Sequence, residues 1–362
     1  KFQEVEMKKW KVGIVGLSRG QGFINVFAAH PEVSITALCD IDTKKLADVG
    51  DAFKLPDNAR FTDFDDFINA DTDIVMVATP IPLHTEHTVK SLEADKHVLC
   101  EQTVAYTIEE CAQVVSAVKR TGKIYMMAEN YCYFHYIREW KKNVESGRLG
   151  EIVYAEGEYI HEIVPLMVDR ETGTYFWRHE RPPIWYCAHT LGPILMLMND
   201  RIVKGCGLTS GFKRFPQYND HPGFLDFEIG LFKTEKGAVI KILRSQVPAC
   251  PHFVWYSLYG TRGHLENKRV HGEGFLYVVD ETPENGEIFT SSVVDPNAPE
   301  EAKKGGHGTS EYYMIRDFIS AVENNSRPPI DVIRATEWTI PGIIAHQSAM
   351  KGGQWMDVPL LE

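Results

Sequence analysis

"KVGIVGLSRGQG", Lys11 to Gly22, runs a short apolar strand into a glycine-rich turn and then the start of a helix. A turn of this kind lets backbone approach a pyrophosphate, while the helix N-terminus offers free amide donors and the positive end of its dipole. Gly16 is in register with G-x-G-x-x-G, Ser18 stands where the second glycine would be, and Gly20 and Gly22 flank the third. Alone the motif is weak, because glycine-rich strand-to-helix turns also arise from packing. Asp40 strengthens it. It ends the second strand, "SITALCD", at about the distance where a carboxylate takes the adenosine ribose hydroxyls and repels a 2'-phosphate, so NAD is the expected cofactor. The competing reading of Asp40 is a cap on the turn before Thr43.

Outward from this stretch, strands and helices alternate. "DIVMVATP" and "HVLCE" read as the third and fourth strands, and "IYMMAEN" as the fifth. Helices run through "HTEHTVKSLEA" and "TIEECAQVVSAVKRTGK", the latter opened by a capping box of Thr107 and Glu110. This alternation predicts a doubly wound parallel sheet. Ligands of such sheets bind at the carboxyl ends of the strands, which selects Thr79, Pro80 and His84, then Glu101 and Gln102, and finally Asn130 beside the phosphate-turn residues Gly16, Ser18, Arg19 and Gly20. After Asn130 come strands with partial alternation, "EIVYAEGEYIH", "FLDFEIGLF", "AVIKILRSQV" and "VWYSLYG", which predict a mostly antiparallel sheet with one open face. The fold class expected is therefore α/β, a Rossmann domain over residues 7–128, followed by an α+β domain over 129–330 and a C-terminal helical return over 331–362 that packs back near the first domain.

The 362 residues carry a formal charge of -12, which gives no basic stripe for nucleic acid or anionic membrane. Seven scattered cysteines without a Cys-x-x-Cys pair suggest reduced thiols. No apolar run reaches a membrane-spanning length and no signal peptide is read, so a cytoplasmic protein is expected.

"YCAHTLGP", Tyr186 to Pro193, sets a tyrosine and a histidine three apart, which on a helix would bring both to one face. A neutral imidazole there could take an alcohol proton; the plainer alternative is a core histidine with an aromatic neighbour. Glu129 ends the fifth strand, and Tyr159 sits on an alternating strand. Arg178 in "FWRHER" and His307 in "GGHGTS" are candidates for binding substrate hydroxyls or an anionic group. His161 with Glu162, and His84 with His87, form no convincing metal set by spacing, and no metal is expected.

Taken together, "KVGIVG", "EECAQVVSAVKRTGKIYMMAENYCY", "GEIVYAEGEYIHE", "YCAHTLGP" and "GGQWMDVPL" resemble the Gfo/Idh/MocA oxidoreductases, and more narrowly the branch of NAD-dependent α-N-acetylgalactosaminidases. Members of the wider family usually carry Glu-Lys-Pro after the fourth strand; here the triplet is Glu101-Gln102-Thr103, and the narrower branch also lacks the lysine. The resemblance implies a catalytic set of His189, Tyr186, Tyr159 and Glu129, with His189 replacing the lysine as proton acceptor. It also implies a redox-neutral cycle: transient oxidation of a sugar at C3, elimination of the C1 group, water addition and re-reduction. Two alternatives stay open, a plain NAD-dependent sugar dehydrogenase and a nucleotide-binding sensor without catalysis. A homodimer or homotetramer is expected, paired through the open sheet face.

Overall fold

The computed structural model describes residues 10–269 and 273–362; residues 7–9 of the expected first domain lie outside the described residues. The chain divides into two units. The first takes the described residues through Tyr133 together with Val294–Ala335 and Leu361–Glu362, and the second takes Phe134–Val293 with Thr336–Leu360.

In the first unit β1 (Trp10–Val15), α1 (Leu17–Phe27), β2 (Val33–Cys39), α2 (Thr43–Ala52), β3 (Arg60–Phe61) and α3 (Phe64–Phe67) lead to β4 (Ile74–Val77). Then follow α4 (His84–Glu93), β5 (His97–Glu101), α5 (Ile108–Thr121), β6 (Tyr125–Ala128) and a 3-10 turn over Asn130–Tyr133. The six strands lie in the order β3-β2-β1-β4-β5-β6, all pairs parallel. Strand order reverses between β1 and β4, the switch point at which doubly wound sheets bind nucleotides. The apolar strands are buried on both faces, as their near-continuous Val/Ile/Met runs require. The capping box forms as read: the Thr107 side chain accepts from Glu110 N, and Glu110 reaches back to Thr107 N. β3 is the one strand of this sheet absent from the sequence reading, because two residues carry no period.

The second unit holds α6 (His135–Glu145), β7 (Ile152–Ile160), α7 (Ala188–Met198), β8 (Ile202–Thr209), β9 (Glu228–Thr234), β10 (Val239–Ser245) and β11 (Phe253–Gly260). Next are β12 (Gly263–Asn267), β13 (Glu273–Val278), β14 (Glu287–Thr290) and, near the C-terminus, β15 (Met356–Asp357). The nine strands run β14-β13-β12-β11-β7-β10-β9-β8-β15, antiparallel except for β7 with β10. α8 (Ser310–Glu323) belongs to the first unit, where it packs on α1 and the 130–133 turn. α9 (Val332–Met350) lies mostly in the second. This division differs from a single break near 128 and a separate helical return from 331. Amphipathic spacing shows that a helix has an apolar face but not which sheet that face covers.

Candidate functional site

The nucleotide end is built by the first unit alone. Gly16 adopts φ +88°, and a Cβ there would sit 2.6 Å from the Ala78 carbonyl and 2.7 Å from Thr79 N. Only glycine lets the turn after β1 close against the end of β4. A Cβ on Gly20 would meet Ile14 at 2.9 Å, which seats α1 tightly on β1. Asp40 Oδ2 accepts from Leu17 N at 2.6 Å, and Oδ1 accepts from Asp42 N at 2.8 Å. The cap of α2 is instead Asp42, which accepts from Lys45 N. Asp40 thus ties the phosphate turn to the end of β2. The exposed Ser18 accepts a hydrogen bond from Lys45 Nζ at 2.7 Å. A glycine cradle that a Cβ would fill, a helix N-terminus, and a carboxylate at the end of β2 fit a dinucleotide.

Around the cradle, His84 is a buried clamp. Its Nδ1 faces Thr103 O at 2.7 Å and its Nε2 faces Thr79 O at 2.9 Å, linking the loops after β4 and β5. Burial holds its pKa below the ordinary histidine value, although both carbonyls favour the charged form. Thr79 Oγ1 lies 3.2 Å from His87 Nδ1, and Pro80 opens the turn into α4. Gln102 is buried, its N–H donating to Glu101 Oε2 at 3.1 Å.

Arg19, in the first turn of α1, donates to Glu101 Oε1 at 2.6 Å and to Glu311 Oε1 at 3.3 Å. Burial opposes its charge, but the two carboxylates outweigh burial and raise its pKa. Glu311 is the hub of this network. It also accepts from Asn130 Nδ2 at 3.4 Å, His307 Nδ1 at 2.7 Å, His307 N at 3.2 Å and Ser310 Oγ at 3.1 Å. Burial pushes its pKa up, and His307 and Arg19 overcome that, bringing the carboxyl down to about 2. Two residues selected from sequence for the cofactor, Arg19 and Asn130, and one selected for the substrate, His307, are therefore held by one carboxylate that the sequence reading passed over. The available signal was a glutamate four residues after "GGH", at the start of a helix. Glu129 is fully buried at the end of β6, where Oε1 accepts from Tyr131 N at 3.1 Å.

The second unit assembles Tyr159, Tyr186 and His189. A Cβ on Gly157 would meet Ile242, Ile194 and Thr190 at 3.0–3.1 Å, so the glycine admits α7 close onto β7. Tyr159, two residues on and in the same phase, then faces His189 with ring centroids 5.3 Å apart. Tyr186 ends a 3-10 turn (Pro183–Tyr186), Cys187 links it to α7, and the rings of Tyr186 and His189 meet edge to face at 5.0 Å. The spacing of three works across the junction of two helical turns. Pro193 sits inside α7 and cannot donate to the His189 carbonyl four residues back. The buried Tyr256 hydroxyl donates to that carbonyl instead, fixing the first turn of α7. Glu228 Oε2 accepts from Ile184 N at 3.0 Å and Oε1 from His346 at 2.7 Å, anchoring the turn that ends in Tyr186.

Tyr159 Oη lies 2.7 Å from His161 Nδ1, and His252 packs against both rings, 5.7 Å from Tyr159 and 4.3 Å from His161. The guanidinium of Arg244 lies 4.1 Å over the Tyr159 ring and that of Arg181 3.9 Å over Tyr186, both arginines buried. Arg178, the arginine singled out from sequence, stacks on Trp177 at 4.4 Å. Arg244 was legible in principle as an arginine in phase with the inward Ile240 and Ile242; Arg181 carried no comparable signal. Burial pushes the Cys39, Cys100 and Cys111 thiols up to about 12, which keeps them protonated. Among the described residues no group of three His, Cys, Asp or Glu is placed to hold a metal, and no helix is long and apolar enough to cross a membrane.

Residues 10–129 match the model of the oxidoreductase family with NAD-binding Rossmann fold, and residues 226–361 match the C-terminal domain of glycosyl hydrolase 109. A glycosyl hydrolase family 109 protein of Shewanella pealeana is 27% identical over 400 residues, covering 98% of this chain and 86% of that one. One of Solibacter usitatus is also 27% identical, covering 94% and 86%. Among solved structures, levoglucosan dehydrogenase in complex with NADH and L-sorbose superposes with TM-score 0.83 at 20% identity, over 98% of this chain and 100% of that one. Myo-inositol 2-dehydrogenase from Lactobacillus plantarum gives 0.76 at 20%, over 97% and 100%. Residues 10–129, which build the glycine cradle, thus match an NAD-binding Rossmann domain of the oxidoreductase family, and residues 226–361, which have parts in both units, match the C-terminal domain of glycosyl hydrolase 109.

Proposed function

We propose that this NAD-dependent enzyme, a glycosidase or sugar dehydrogenase by its family, is a redox-neutral glycosidase acting through transient oxidation of a sugar at C3. The observation carrying the reading is the meeting of Tyr159, Tyr186 and His189, with Tyr159 Oη on His161 Nδ1, in a chain that has Gln102 where related dehydrogenases have lysine. When bound on the glycine cradle, NAD would supply the hydride acceptor and donor that such a cycle needs at C3.

The protein residues handle protons. His189 takes the proton of the 3-hydroxyl while Tyr186 holds that hydroxyl toward it; a positioned base of this kind contributes roughly 10² to 10⁴ in rate. Tyr159 removes the C2 hydrogen, now acidic beside the ketone, and its own hydroxyl proton passes to His161 Nδ1. The C1 group leaves, and Glu129 assists the incoming water. Arg178 and His307 are proposed to bind substrate hydroxyls. The cofactor is proposed to rest on Gly16, Ser18, Arg19, Gly20 and Asp40, with Thr79, Pro80, His84, Glu101, Gln102 and Asn130 around it. Retention of this whole proton-handling set supports catalysis over a sensor role.

The sheet face opposite α7 presents Leu208, Leu231, Val239 and Tyr259 part-exposed, which supports a homo-oligomer; the buried thiols suit a cytoplasmic setting. Aryl glycosides of both anomers, incubated with NAD while aglycone and NADH absorbance are followed together, test the function. Aglycone release without net NADH is expected. NADH without release would make the protein a dehydrogenase.

A further inference from the structure

The second unit contains a stack in which aromatic rings and guanidinium groups alternate, and the two guanidiniums in it have no reacting role. Trp177 lies 5.5 Å from the Arg181 guanidinium, Arg181 lies 3.9 Å over Tyr186, Arg244 lies 5.4 Å over Tyr186 and 4.1 Å over Tyr159. Tyr186 thus packs against two cations and Tyr159 against one. Backbone and amide groups hold both cations in place. Arg244 Nε donates to Pro183 O at 3.2 Å, within the turn that ends in Tyr186, and its residue pairs directly with Tyr159 across the parallel β7–β10 ladder. Arg181 donates to Gln246 Oε1, and Gln246 Nε2 donates back to Arg181 O at 2.9 Å and to Gly223 O at 3.3 Å. Two buried arginines fixed against phenol faces are costly to place, and a ring face attracts a cation more strongly as the ring gains electron density.

We propose that Arg244, supported by Arg181, is a positioning residue that stabilises the ionised form of the Tyr159 and Tyr186 phenols and so equips Tyr159 to act as a base. This rests on the glycosidase reading above only for its catalytic consequence. Proton loss from Tyr159 Oη goes to His161 Nδ1, leaving a phenolate under the Arg244 guanidinium beside an imidazolium; no other reactant is needed. The groups facing Tyr159 are His161 on its own strand, His189 on α7, His252 before β11, Tyr186 on the turn and Arg244 on β10. Those facing Tyr186 are Arg181, Arg244, His189 and Tyr159. The histidines repel further protonation as pH falls, in the same sense as the arginines.

The test is tyrosinate difference absorbance against pH in the full-length protein, with Tyr159→Phe subtracted to isolate Tyr159. Arg244→Gln is expected to raise the Tyr159 ionisation by about one pH unit, a tenfold loss of phenolate at a given pH. Arg244→Lys is expected to recover part of it, with NADH affinity unchanged in both. If glycosidase activity is present, its acid limb should move up by the same amount in Arg244→Gln. A titration of Arg244→Gln that superimposes on the parent overturns the proposal. Should Arg244→Gln fail to fold, Arg181→Gln gives the same reading on Tyr186, with Tyr186→Phe as the subtracted reference, and superposition there overturns it equally. Because the titration needs no substrate, its failure is separate from a failure to cleave glycosides.

Discussion

The two units handle charge in opposite ways. In the first, hydrogen-bond donors converge on a buried carboxylate: Arg19, His307 and Asn130 all face Glu311, and the turn before α1 is held by Asp40. In the second, buried guanidiniums lie over aromatic faces, and histidines fill the remaining edges. The contrast suits two tasks. A cofactor site needs fixed charge that does not titrate near neutrality, whereas a proton-transfer site needs rings whose ionised and neutral forms differ little in energy.

The largest break in this contrast should come from His189→Ala, expected to lower turnover by about 10³-fold while NADH affinity, set by the other unit, is unchanged. Loss of both together would show that the residue serves structure. Next in size is Gly16→Ala. A side chain at φ +88° meeting the Ala78 carbonyl is strained wherever it goes, and NADH fluorescence titration should show affinity weakened by about 10- to 100-fold.

Glu311→Gln should cost about 3 kcal/mol in denaturant unfolding at neutral pH, because it leaves Arg19 and His307 without their shared anion. Its folded pKa is depressed, so the stability it adds is full above its ordinary value of 4.5 and is lost as pH falls toward about 2. In that window the parent should lose stability faster than the variant; parallel curves would deny the hub its role. The smallest effect belongs to Tyr256→Phe, which removes the donor to the His189 carbonyl freed by Pro193 and should cost about 1–3 kcal/mol with a modest fall in turnover. A fall in turnover as deep as that of His189→Ala would place Tyr256 in the chemistry itself.

The first unit was legible because its information is local. A glycine turn, a strand-end aspartate and alternating elements lie in register along the chain, and each reports its own geometry. The second cluster was half legible. "YCAHTLGP" holds its pair three residues apart, and its proline explains a hydrogen bond that spacing alone does not show. Arg181 and Arg244 reach those rings, and Tyr256 the His189 carbonyl, from a loop and two strands, and nothing local to "RPP" or "VWYSLYG" records that convergence. Glu311 was missed for the same reason: a buried glutamate in the first turn of a helix reads as an ordinary dipole partner until the chain brings Arg19 to it.

The most direct test of the central claim is to run the reaction with NAD and a cleavable glycoside in deuterated water, then locate deuterium in the released sugar by NMR. The account predicts one deuterium at C2, from proton removal and return there, with the original hydrogen retained at C3 because the same hydride leaves and comes back. Released sugar with protium at C2 would contradict it, and would point to direct displacement at C1.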